Sequence, residues 1–122
     1  MRWLLLLLLA SPATAQPAPV AQEPMEAGEA TTILGRQVMD AAGKPVARII
    51  EVLVDQAAQP RAAVLEFGGF LGVGQRRVAV AWRALTFSPA DRRITLELDA
   101  AAIAAMPEWK PGAGPVMLAT PP

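Results

Sequence analysis

Between residues 33 and 99 the apolar side chains recur at every second position, in short runs closed by turn-forming residues. A period of two sends one side chain toward a core and the next toward solvent, which confines such a chain to strands. The stretch 92–99 shows this most clearly, with Ile94, Leu96 and Leu98 on one side and Arg93, Thr95, Glu97 and Asp99 on the other. Residues 33–40 predict a first strand, and 46–55 a second rich in β-branched side chains. Residues 62–67 predict a third, with Ala63, Leu65 and Phe67 opposed to Glu66. Residues 77–82 predict a fourth, grouping Val78, Val80 and Trp82, and 84–87 a fifth. Turns fall at 41–44, where Gly43 accepts positive φ, and at 56–60. Short strands joined by tight turns predict an all-β molecule, a small barrel or sandwich. Closure of such a sheet removes edges that would otherwise pair between molecules.

One short helix interrupts the pattern. Asp99 is placed to cap the first turn of a helix over 100–106, because its carboxylate can accept free N–H groups there. Ile103 and Met106 face inward and Pro107 stops it. Two turns of helix do not persist alone in water, so this one must dock on the sheet.

The two ends read differently. Arg2, the apolar run Leu4 to Leu9 and the small-residue sequence Ala13-Thr14-Ala15 form the three parts of a secretory signal peptide over residues 1–15. Cleavage is expected after Ala15, making Gln16 the first mature residue. The run is shorter than the ~20 apolar residues that span a bilayer; retention as an uncleaved membrane anchor is the alternative. Residues 16–32, rich in Pro, Ala and Glu, read as a flexible leader. Residues 110–122, rich in Pro and Gly, read as a tail in which Val116, Met117 and Leu118 form one apolar island. The structured domain is therefore expected over 33–109, in a periplasmic or secreted protein.

Composition excludes much chemistry. There is no Cys and no His, and 11 Lys and Arg balance 11 Asp and Glu. Disulfides, thiolate nucleophiles and thiolate metal sites are absent, as are the commonest general base and metal ligand. Balanced charge gives no basic nucleic-acid surface. Asp40 and Asp55 sit beside turns, where Asp bonds nearby backbone N–H groups, and no calcium-loop spacing surrounds them. Glu66 and Glu97 could imitate a glycosidase carboxylate pair, but their outward positions read as solvated surface. Ser88 precedes a proline and has no His to activate it. No catalytic residue, cofactor or metal site is expected.

The most distinctive run is EFGGFLGVGQRRVAVAW, residues 66–82. It lacks the Lys-Ser/Thr and the following helix of a phosphate loop, and reads as a glycine-rich loop between strands. Phe70 and Leu71 within it either tuck under the barrel end or face a partner. GGFLGVG followed by RRVAVAW resembles the glycine loop and strand of the PRC-barrel family. Leu34-Gly35-Arg36-Gln37-Val38, the turn 40–44, the strand 49–55 and the closing segment 103–109 with Met-Pro-Glu-Trp are similar too. The family's usual Gly in the second strand is Ala47 here. The resemblance implies a six-stranded, highly bent antiparallel barrel without catalytic activity, serving as a docking or assembly module. The partner is expected to be another protein or a second copy, with membrane contact secondary. Phe70, Leu71, Arg76 and Arg77 are the candidate contact residues. Arg92 and Arg93 form a second basic pair, and Trp82 and Trp109 are expected to fill the core and cap the barrel end.

Overall fold

The computed structural model describes residues 9–12, 17–68, 75–97, 99–112 and 114, and divides into two units, residues 1–30 and 31–122. The described part of the first unit is exposed and holds one local turn, in which the Glu29 amide donates to the Glu26 carbonyl. The second unit contains the strands β1 (Gln37–Met39), β2 (Pro45–Val54), β3 (Pro60–Gly68), β4 (Gln75–Ala81), β5 (Leu85–Phe87) and β6 (Ile94–Leu96), and the helix α1 (Ala100–Ala105). Among the described residues the strands form one curled, half-closed sheet in the order β4-β3-β2-β1-β6-β5.

The curl has a covalent cause. β4 and β5 lie at opposite ends of that order, yet only the 3₁₀ turn Trp82–Ala84 separates them in sequence. Four residue steps reach at most ~14 Å, so the two edges must approach each other there. β-Bulges help the strands bend. The β2–β3 register passes from Ile49 opposite Leu65 to Glu51 opposite Val64, which inserts Ile50 and adds local twist.

Three expectations are corrected. The sheet is mixed, not antiparallel throughout: β6 runs parallel to β1 at Met39 opposite Thr95, because the β5–β6 hairpin adds to the side of β1 that β2 leaves open. The first strand is also shorter than 33–40. Gly35 turns with φ +83° and the Arg36 amide donates to the Ile33 carbonyl, so regular pairing starts at Gln37. The strand expected over 92–99 is likewise confined to Ile94–Leu96; Leu98 lies outside the described residues.

The core gathers Val38, Ile49, Leu65, Phe67, Val78, Val80, Ile94, Leu96 and Ile103, all essentially without exposure. Burial of each large apolar side chain contributes roughly 1.5–3 kcal/mol. Trp82 and Met106 pack against this core half-buried. The α1 cap is as expected: Asp99 Oδ1 accepts from the Ala102 amide at 2.7 Å. Ile103 holds the helix in the core, with an exposure of 1 %.

Candidate docking surface

Three exposed turns are each organised by one carboxylate. Asp40 Oδ1 accepts from the amides of Ala42 and Lys44, and Asp55 Oδ1 accepts from those of Ala57 and Gln59, all within 3.0 Å. In the β5–β6 turn Asp91 Oδ1 accepts from the Arg93 amide. That bond, with a second from Ser88, holds the Asp91 carboxyl below its ordinary range. Asp40, Asp55 and Ser88 thus act as turn-builders. Glu66 and Glu97 are not brought together: β3 and β6 are separated in the sheet by β2 and β1.

The candidate contact residues divide. Phe70 and Leu71 lie outside the described residues, as do Ala15 and Gln16. Arg76 and Arg77 follow one another on β4 and therefore point to opposite faces. Arg76 stands opposite Phe67 on the core side, and its guanidinium donates to the carbonyls of Ala104, at 2.6 Å, and Met106 at the C-terminal end of α1. Arg77 points outward opposite Glu66 and pairs with it at 3.3 Å. An exposed pair of this kind is worth about 0.2–1 kcal/mol. The amide of Trp109 donates to the Arg77 carbonyl at 2.7 Å, bringing the half-buried segment after α1 against β4.

The register extends this pair into a row. Arg48 on β2 stands opposite Glu66, so Arg48, Glu66 and Arg77 cross three strands on the outer face. Arg48 and Glu66 line a groove of about 500 Å³ together with Gln37, Pro45, Val46 and Gly68. Arg48 was not singled out from the sequence. Its signal was the alternation of β2, in which Ala47 and Ile49 are buried and Arg48 between them is exposed. The surface offers guanidinium donors and a carboxylate acceptor at fixed spacing, near the end of the β3–β4 pair at Gly68 and Gln75. Among the described residues no group of three acidic, His or Cys side chains is placed to hold a metal ion.

A family model, the PRC-barrel domain, matches residues 25–103, from the end of the first unit to Ile103 in α1. No curated protein matches the chain.

Proposed function

This chain belongs to the PRC-barrel family, and from that premise we propose that it is a non-enzymatic, exported module that docks on another protein, or on itself, in the bacterial envelope. One observation carries the reading. Asp40, Asp55, Asp91, Asp99 and Arg76 all bond to backbone, whereas Arg48, Glu66 and Arg77 form an outward row beside the β3–β4 hairpin. Export is supported by the apolar run Leu4 to Leu9 and the Ala13-Thr14-Ala15 sequence, and gives a periplasmic or secreted mature chain starting at Gln16. The contact surface is assigned to Phe70 and Leu71, which lie between β3 and β4 in sequence, with Arg77 on β4 beside Glu66 and Arg76 holding α1.

Phe70→Ala combined with Leu71→Ala is expected to abolish a specific cross-link in the native envelope while leaving the melting temperature unchanged. If the double variant instead unfolds with no separable loss of binding, both residues belong to the core and this surface is excluded. N-terminal sequencing of the mature protein should return Gln16; a chain still beginning at Met1 and resisting salt extraction from membranes replaces export with anchoring.

A further inference from the structure

Where β1 begins and β5 turns into β6, Arg36, Arg92 and Arg93 line a second groove, of about 340 Å³, whose one acidic lining residue is Asp91. That carboxylate is occupied, since it accepts from the Arg93 amide and pairs with the Arg93 side chain at 3.7 Å. The Arg36 guanidinium donates to the Arg92 carbonyl and so fixes the turn. Arg92 itself has φ +55°, a left-handed conformation that favours Gly or Asn, and its guanidinium meets no partner among the described residues. An arginine thus occupies a position where glycine suits the fold better, and no hydrogen bond or ion pair of its side chain within the described residues compensates for it. This groove shares Gln37 with the one lined by Arg48, and Gln37 stands opposite Arg48, so the two grooves adjoin on the outer face. Leu34, two residues before Arg36, is 58 % exposed.

We infer that this outer face docks on an anionic lipid surface, with Arg36, Arg92, Arg93 and Arg48 meeting headgroup phosphates and Leu34 entering the interface. Guanidinium forks match phosphate oxygens in pairs. Cations at the β5–β6 turn, just before β1 and on β2, with the exposed Leu34 two residues before Arg36, suit an extended charged plane better than one enclosed anion. Phe70 and Leu71 take no part in this face, which shares only Arg48 with the row of the proposed docking surface.

The test is sedimentation of the full chain with phosphatidylcholine vesicles and with vesicles in which a third of the lipid is phosphatidylglycerol. The chain is expected to bind the anionic vesicles more tightly and to be released by added salt. Insertion of Leu4 to Leu9 alone would hold it on both kinds alike. Arg92→Glu with Arg93→Glu should lower the anionic preference by about tenfold or more, and Arg92→Gly by about fivefold. Arg92→Gly should at the same time raise the melting temperature, which a folding defect cannot imitate. The inference is overturned if Arg92→Gly raises the melting temperature and leaves vesicle binding untouched. It is also overturned if millimolar inorganic phosphate displaces the chain, or if polyglutamate binds it while anionic vesicles do not. Loss of vesicle binding in Phe70→Ala/Leu71→Ala would likewise overturn it, since neither residue is among those assigned to this face.

Discussion

Residues 40–44 and 55–59 build the same turn twice, with Gly at the fourth position of one and Ala at that of the other. In each, the Asp amide donates to the carbonyl four residues on, the amide three residues on returns to the Asp carbonyl, and Oδ1 accepts two further amides. The fourth residue is left-handed in both, with φ +82° at Gly43 and +62° at Ala58. An L-residue in that region costs about 1 kcal/mol relative to glycine. Ala58→Gly is therefore expected to stabilise the protein by about 0.5 kcal/mol, because the added freedom of the unfolded chain offsets part of that gain. Gly43→Ala should destabilise it by a similar amount, and for backbone reasons, since an added Cβ would meet only Arg93 Nη1 at an ordinary 3.5 Å. Urea denaturation of the two variants checks this. Destabilisation by Ala58→Gly would mean that the methyl group makes contacts outweighing the backbone strain.

α1 is six residues long and is fixed at three points besides its own hydrogen bonds. Asp99 caps its start, Ile103 anchors its middle in the core, and Arg76 reaches its last carbonyls from β4. Carbonyls at a helix C-terminus have no intrahelical donor, and a cation there also opposes the helix dipole favourably. Arg76→Met keeps much of the side-chain volume and removes the donors. It is expected to cost about 2 kcal/mol, as for loss of charged hydrogen bonds in a part-buried site. The loss should appear in urea unfolding together with faster amide exchange at Ile103. A cost under ~0.5 kcal/mol would show that water replaces the guanidinium without penalty. The helix, its cap and its buried residue were all legible in the sequence, because a capping Asp followed by an Ala run and closed by Pro is a local signal. The helix tether was not. The adjacent arginines read as one basic pair, although a period of two already separates them onto opposite faces. Which face receives the end of α1 is a tertiary fact that no local pattern encodes.

At the scale of the whole molecule, the strands were legible and their order was not. Alternation placed Val78 with Val80 and Ala63 with Leu65 and Phe67, and the structure joins those rows in one core. It could not show that Ala62, Val64, Ala79 and Ala81, on the alternate positions, are buried as well. Nor could it show that β6 enters beside β1 in parallel, since a pairing between distant segments depends on closure of the sheet rather than on either segment's pattern. That closure divides the sheet unevenly. β2, β3 and β4 are long and pair over most of their length, whereas β5 and β6 have three residues each and reach β1 at Met39 opposite Thr95. Short ladders open at lower free energy than long ones buried on both faces. Native-state hydrogen exchange should therefore find the β3 amides slowest and those of β5 and β6 at least tenfold faster, a difference of about 1.4 kcal/mol. Equal protection in all six strands would instead mean that Trp82–Ala84, by joining the two edges, makes the sheet open only as a single unit. Leu65→Ala distinguishes the two cases further. In the uneven sheet it lowers protection throughout, because β3 opens only with global unfolding, while Thr95→Gly lowers it in β5 and β6 alone.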